Sequence, residues 1–175
     1  QRKKKHYSSG KFNFGLIFNL LKKHFSKKKI TIGAYFPSDY EVDILKFIEK
    51  AAKKKFKISL PVVTSSVSMC FKPWVFKDPL KVSRFGILEP KNNKKELFPD
   101  FVMVPLVAFD KNLNRIGYGK GYYDRSLKKI KKIKAKTIFI GIAYSFQKCK
   151  RIPINKHDVK LDYIFTDQGI ISANK

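Results

Sequence analysis

Apolar residues recur at helical spacing between positions 13 and 25, where Phe14, Ile17, Phe18, Leu21 and Phe25 share a face and Asn and Lys fill the other. Gly15 weakens the first turn of that helix. Ile30 to Phe36 is then a nearly continuous apolar run, ended by Pro37-Ser38, and reads as a buried strand. Helical spacing returns with Val42, Leu45, Ile48 and Ala52 inward and Lys50, Lys53 and Lys54 outward. Ser38-Asp39-Tyr40-Glu41 has the form of a capping box and predicts the start of this second helix. Phe56 to Val63 reads as the next strand, interrupted by Pro61. Residues 66 to 75 alternate, with Val67, Met69 and Phe71 set against Ser66, Ser68 and Cys70. Lys77 to Pro99 is rich in Pro, Lys and Asn and reads as loop, with a short Arg84-Phe85-Gly86-Ile87 insert.

Phe101-Val102-Met103-Val104-Pro105 is apolar without interruption, as a central parallel strand covered on both faces must be. The loop Asp110 to Gly121 leads into a helix that places Tyr123, Leu127, Ile130 and Ile133 on one face. Thr137 to Tyr144 and Tyr163 to Thr166 supply two more strands. Strands alternating with helices predict an α/β fold with a largely parallel sheet flanked by helices in three layers. The chain has 175 residues, no internal repeat and no long linker, so residues 1–175 are expected to form a single domain. Folds of this class bind ligands at the carboxyl ends of the strands, in loops that lead into helices.

A formal net charge of +26 raises nucleic acid as a partner. Yet 34 of the 39 basic residues are Lys and five are Arg, with Lys runs at 27–29, 53–55 and 128–136. Base reading and planar phosphate recognition favour Arg. The charge therefore reads as a lysine-biased solvated surface that steers anionic substrates, and no nucleic-acid partner is expected. A basic nucleic-acid-binding module stays the alternative from a different class. The longest apolar stretch, Phe101 to Phe109, contains Pro105 and falls short of the ~20 residues that cross a bilayer, so no membrane partner is expected. Gln1-Arg2-Lys3-Lys4-Lys5 leads into no apolar region of signal-peptide type. Cys70 and Cys149 lack metal-ligand spacing, Cys70 reads as a small buried thiol, and a reducing cytoplasm is the expected compartment.

Candidate chemistry gathers in Arg115-Ile116-Gly117-Tyr118-Gly119-Lys120-Gly121-Tyr122-Tyr123-Asp124. Three alternating glycines between strand and helix let backbone amides approach a ligand, with the positive end of a helix behind them. Lys120 adds a compact positive charge in the middle, and Arg115 precedes it. The spacing is neither that of a Walker loop nor of a dinucleotide fingerprint. A tight flexible turn with a solvated Lys is the other reading of the same residues. Asp124, near a helix start, fits both a dipole-complementing acid and a ligand for Mg²⁺ beside phosphate.

These residues carry a resemblance. Pro99-Asp100-Phe101-Val102-Met103-Val104-Pro105-Leu106-Val107-Ala108-Phe109-Asp110, followed by Asn114 through Arg125, is similar to the signature of the 5-formyltetrahydrofolate cyclo-ligases, also called methenyltetrahydrofolate synthetases. Further blocks follow in the same order: Tyr35-Phe36-Pro37 with Glu41-Val42-Asp43; Leu60-Pro61, Met69, Phe71 and Trp74; Gly86 to Pro90; Gly141 to Tyr144 with Gln147; Ile152-Pro153, His157-Asp158, Leu161-Asp162 and Thr166. The likeness runs from about Ile30 to Gly169. It implies a single Rossmann-like α/β domain, expected to be a monomer. The implied activity is cyclisation of 5-formyltetrahydrofolate to 5,10-methenyltetrahydrofolate with ATP and Mg²⁺, releasing ADP and phosphate through a phosphorylated formyl intermediate. A protein of the same fold that uses ATP on another substrate is the nearer alternative.

Carried onto this sequence, the resemblance implies that Arg115, Ile116, Gly117, Tyr118, Gly119, Lys120, Gly121, Tyr122 and Tyr123 cradle the ATP phosphates. Lys120 would neutralise the transferring charge, Tyr122 would lie where nucleotide and folate meet, and Asp124 with Asp158 would hold Mg²⁺. Phe36, Glu41, Met69 and Trp74, with Tyr122, would line the folate pocket, and Glu41 would accept hydrogen bonds from the pterin. By residue type alone Glu41 also suits a capping box, Trp74 and Met69 suit a core, and Asp158 suits a turn that bonds its own backbone. His157 reads as a turn residue. Lys120→Ala or Asp124→Ala is expected to abolish turnover with the fold intact. Members of the family open with a helix whose Lys and Arg reach the nucleotide. Here either the given sequence starts late in that helix, or Arg2 or a nearby Lys takes the role.

Overall fold

The apolar run at 101–105 becomes strand β6 (Phe101–Pro105), five buried residues at the middle of a seven-stranded sheet in the computed structural model. The structure describes residues 10–25, 29–38, 40–84, 86–91 and 93–173. Expectations placed on the N-terminal basic segment, on Lys27 and Lys28, on Asp39 and on Phe85 lie outside those residues.

Ahead of β6 the chain forms α1 (Gly15–Phe25), β1 (Thr31–Gly33), α2 (Leu45–Lys53), β2 (Lys57–Val63), β3 (Met69–Trp74), β4 (Leu80–Val82) and β5 (Leu88–Pro90). After it come β7 (Ala108–Phe109), β8 (Arg115–Ile116), α3 (Tyr122–Ile133), β9 (Ile138–Ile142), β10 (Tyr163–Thr166) and β11 (Gly169–Ser172). The sheet order is β11-β10-β9-β6-β1-β2-β3. Its five inner strands run parallel to one another, and the edge strands β3 and β11 are antiparallel to their neighbours.

Side chains of β6 alternate between two cores. Phe101 and Met103 pack with Ile17 and Leu21 of α1 and Phe47 and Ile48 of α2. Val102 and Val104 pack on the other face with Leu127 and Ile130 of α3. Two covered faces explain why the strand shows no polar alternation. They also give the expected three layers, with α1 and α2 on one side and α3 on the other. Layer contact is close at β9, where a Cβ on Gly141 would come within 2.7 Å of the side chains of Ile164, Leu106 and Leu161.

Pro61 sits inside β2 without breaking it. Ser59 turns its carbonyl to β1, where it accepts from the Ala34 amide at 2.9 Å. Pro61, two residues on, faces the same side beyond the end of β1, so its missing N–H interrupts no ladder there.

Several elements differ from their sequence patterns. Helix α2 starts at Leu45, not beside Ser38, because Glu41 closes a separate turn. Its Oε2 accepts from the Ser38 amide at 3.0 Å and the hydroxyl at 3.2 Å, while Glu41 N donates back to Ser38 O. Asp43 instead accepts from the Leu45 amide at 2.8 Å. Within α2 the buried residues are Phe47, Ile48 and Ala51, and Ala52 is only half-buried. Strand β3 begins at Met69, because Ser65 to Val67 form a bend that leaves Val67 57% exposed. The 77–99 loop contains the antiparallel pair β4–β5, closed by a turn in which Gly86 takes φ +75°. Ile133, expected inward, is 54% exposed where α3 ends and Lys134 reaches Asp100 at 2.9 Å. Among the described residues no helix is long and apolar enough to cross a membrane.

Candidate active site

Beyond the carboxyl ends of β1, β2 and β6 lies a cleft of about 540 Å³, within the ordinary range for small-ligand sites. One wall is apolar, built from Phe36, Pro61, Val63, Met69, Ile87 and Pro105. The segment from Arg115 to Asp124 supplies another part of the lining.

That segment is aimed by Asp110, which is 1% exposed. Its Oδ1 accepts from the amides of Asn112 (2.9 Å) and Asn114 (3.1 Å), and its Oδ2 from Asn114 Nδ2 (3.0 Å) and the Ile152 amide (3.2 Å). The network holds the turn in which buried Leu113 takes φ +65°, and it sets the short β7–β8 hairpin. Burial pushes the Asp110 pKa up. The hydrogen bonds from Asn114, Ile152 and Asn112 outweigh it and hold the carboxyl below its ordinary value. A depressed folded-state pKa stabilises the fold fully above the ordinary Asp value of about 3.9 and loses that stabilisation as pH falls through the folded value. Asp110→Asn should therefore lower the urea midpoint at pH 7, and the gap to wild type should narrow as the pH is taken below about 4. A gap independent of pH would show that the carboxylate charge contributes nothing.

From β8 the Arg115 side chain turns inward, 4% exposed, and its Nη2 donates to Asp124 Oδ1 at 2.7 Å. The same oxygen accepts from the Val159 amide at 3.1 Å, so Asp124 joins the hairpin, the start of α3 and the 155–159 turn. Arg115 Nε is buried without a hydrogen-bond partner among the described residues. Gly117 lies against this guanidinium, where a Cβ would stand 3.3 Å from Arg115 Nη1. Gly119 and Gly121 take φ +86° and +62°, a region that other residues rarely enter. Gly121 is the N-cap of α3, and no side chain caps that end. The start of α3 thus has no side-chain cap, and a helix N-terminus of this kind suits an anion.

The cleft brings together nearly every residue singled out in the sequence. Arg115, Ile116, Gly117, Tyr118, Gly119, Lys120, Gly121, Tyr122, Tyr123, Asp124 and Asp158 line it together with Phe36, Glu41 and Met69. Trp74 is the exception. Its indole is 5% exposed in the core, donates Nε1–H to Asp78 O at 3.0 Å and packs edge-on to Phe76 at 5.9 Å. It forms no part of the cleft lining, because β3 carries it away from Met69 toward α2 and the core of that face. His157 sits in an exposed turn, and Cys70 is buried, with its thiol pKa raised by desolvation.

The Tyr123 hydroxyl is buried with no hydrogen-bond partner among the described residues. Burial chiefly, and the Glu41 charge next, raise its pKa against the opposing pull of Arg115, so it stays a neutral donor. Tyr35, also on the cleft, is raised by burial and then by Glu41, and it donates to Val42 O at 2.8 Å. Pattern reading missed Glu89, a cleft residue 5% exposed whose Oε2 accepts from the Val63 amide at 3.3 Å and whose Oε1 meets Lys81 at 3.3 Å. Its only signal was a place in the Gly86–Pro90 block.

Asp158 Oδ2 accepts from the Asn155 amide at 2.8 Å, closing its own turn. Asp124 and Asp158 nonetheless stand on adjoining segments, since Val159 bonds to Asp124. Among the described residues no group of three or more His, Cys, Asp or Glu could hold a metal. Two carboxylates in one cleft fit Mg²⁺, which takes one or two carboxylates and completes its shell with phosphate oxygens and water.

Residues 16–167 match the model of the 5-formyltetrahydrofolate cyclo-ligase family. The chain is 34% identical over 136 residues to the 5-formyltetrahydrofolate cyclo-ligase of Haemophilus influenzae, covering 74% of this chain and 72% of that protein. The solved structure of the 5,10-methenyltetrahydrofolate synthetase of Aquifex aeolicus superposes with a TM-score of 0.73 at 29% identity, over 99% of this chain and 91% of that one. The synthetase of Mycoplasma pneumoniae gives 0.65 at 28% identity, over 89% and 85%.

Proposed function

Because the chain belongs to the 5-formyltetrahydrofolate cyclo-ligase family, a family of ATP-dependent ligases, we propose that its cleft closes 5-formyltetrahydrofolate to 5,10-methenyltetrahydrofolate at the expense of ATP. The observation that carries this reading is the meeting of the two walls in one cleft. A loop of glycine amides, Lys120 and a helix end without a side-chain cap shares the cleft with an apolar wall that bears Glu41, whose neighbour in the lining, Glu89, is already paired with Lys81. The first suits phosphates and the second a flat heteroaromatic ring with N–H donors.

The formyl oxygen attacks the γ-phosphorus and ADP leaves with the electron pair of the broken P–O bond. The nitrogen at position 10 then adds to the activated formyl carbon and gives up its proton, and inorganic phosphate departs with the former formyl oxygen. An amide oxygen is a poor leaving group and a phosphate is a good one, so ATP supplies the driving force. What remains for the protein is alignment and charge neutralisation. The Arg115–Tyr123 segment holds the phosphates, with Lys120 over the transferring group. Phe36 and Met69 flank the ring, Glu41 receives its N–H groups, and Tyr122 stands between the two substrates. Asp124 and Asp158 would hold Mg²⁺, which would neutralise phosphate charge when bound. The neutral Tyr123 hydroxyl donates to a substrate oxygen. The Arg115 guanidinium, already paired with Asp124, acts by fixing the loop.

The test is incubation with 5-formyltetrahydrofolate and Mg-ATP, followed by absorbance of the chromophoric methenyl product and by ADP release. Equimolar formation of both is expected. ATP-dependent chemistry without the methenyl product would favour another substrate on the same fold.

A further inference from the structure

Arg125 is one of five Arg in a chain with 34 Lys, and the helix whose first turn it closes continues with Lys128, Lys129, Lys131 and Lys132. A guanidinium at one position of so lysine-biased a surface invites the question of what its fork does there. Its Nε donates to Val67 O at 2.6 Å and its Nη2 donates to Lys120 O at 2.7 Å. One acceptor lies in the bend between β2 and β3, and the other lies inside the glycine loop. The two are 53 residues apart in sequence, and the bend that carries Val67 joins Val63 to Met69 of the apolar wall while Lys120 lines the cleft itself. A lysine ammonium offers its donors from a single nitrogen and so lacks the two separated, coplanar donor nitrogens that these two carbonyls use.

Two neighbours are shaped to the same contact. A Cβ on Gly121 would stand 2.8 Å from Arg125 Nη1, so the guanidinium lies on the loop only because residue 121 has no side chain. The Tyr122 ring lies 5.5 Å from the Arg125 guanidinium carbon, and the Tyr122 hydroxyl reaches Ser65 O at 3.5 Å. The bend itself is closed by Thr64 N to Ser68 O at 2.9 Å and leads directly into Met69 of the apolar wall.

We propose that Arg125 is a positioning residue that ties the glycine loop to the β2–β3 bend, so that a nucleotide bound by the loop also orders the wall that takes the folate. This rests on the assignment of the loop to ATP and of the apolar wall to folate. Ordering one wall through occupation of the other is a coupling free energy, and it is reciprocal between the two ligands. Arg125 touches no reacting atom in this scheme.

The test is hydrogen exchange of the whole protein with and without Mg-ADP, for wild type, Arg125→Lys and Arg125→Ala. In wild type, Mg-ADP is expected to slow exchange both in residues 117–121 and in residues 64–68. In Arg125→Ala the protection of 117–121 persists in part, while that of 64–68 is lost, and Arg125→Lys falls between. The kinetic counterpart is a fall in kcat/KM for 5-formyltetrahydrofolate of about 10- to 100-fold, as expected for misplaced substrates, with an unchanged melting temperature. Equal protection of the bend in Arg125→Ala and wild type would overturn the coupling. So would protection of 117–121 alone in wild type. No protection of 117–121 in wild type would instead remove the nucleotide assignment and the coupling with it.

Discussion

Lys120→Ala is expected to lower kcat by about 10²- to 10³-fold, the usual loss when one preorganised group facing developing charge is removed. The side chain stands on an exposed loop between Gly119 and Gly121 and lines the cleft. One contact at residue 120 is made by its backbone carbonyl, which accepts from Arg125, and truncation leaves that carbonyl unchanged. Exposed substitutions away from a packed or capped position shift stability by about 0.5 kcal/mol or less. The melting temperature should therefore stay at the wild-type value while turnover collapses. Lys120→Arg keeps the charge but enlarges and flattens the head, and it should recover part of the rate. Initial rates of methenyl formation at saturating Mg-ATP separate these outcomes from simple weakening of nucleotide binding. Near-normal turnover in Lys120→Ala would remove the residue from the machinery.

The elements that sequence patterns place correctly are those whose cause is local. β6 is covered on both faces, so its composition alone betrays it, and the alternating glycines betray a loop whose backbone takes positive φ at Gly119 and Gly121. The lining of the cleft is legible for the same reason, since most of it is one contiguous segment. What patterns miss is decided across distance. Trp74 and Met69 are both apolar residues of one strand, and composition cannot say which end of β3 faces the cleft. The three-residue strands β4 and β5 are too short to show alternation. Ser38 and Glu41 make one of the two hydrogen bonds of a capping box, the Ser38 amide to the Glu41 carboxylate, but seven residues before α2 begins, and the Glu41 amide goes to the Ser38 carbonyl instead of its hydroxyl. A local motif there closes a turn, and packing of Phe47 and Ile48 sets the helix. Arg115 pairs with Asp124 across the loop, and Arg125 meets Val67, 58 residues earlier in the chain. No periodicity reports either contact.

Asp124 shows what such a contact changes. Read as a metal ligand alone, Asp124→Ala would cost activity and spare the fold. In the structure the same substitution strips the partner from Arg115, whose side chain is 4% exposed and whose Nε is already unpartnered among the described residues. Removing one member of a buried ion pair costs about 3–5 kcal/mol, because the other charge is left without compensation. It also releases the Val159 amide and with it the turn that carries Asp158. At about 2–4 °C per kcal/mol for a chain of this size, Asp124→Ala should melt about 6–20 °C below wild type. Asp124→Asn separates the two roles. Its side-chain oxygen still accepts from Arg115 and Val159, so the loss in melting temperature should be less than half that of the alanine variant. The carboxylate charge is gone, so the Mg²⁺ concentration needed for half-maximal rate should rise at least tenfold. Isothermal titration of Mg-ADP into both variants reads the same loss without turnover. Should Asp124→Asn keep the wild-type Mg²⁺ dependence, Asp124 serves the ion pair alone and the metal is held elsewhere.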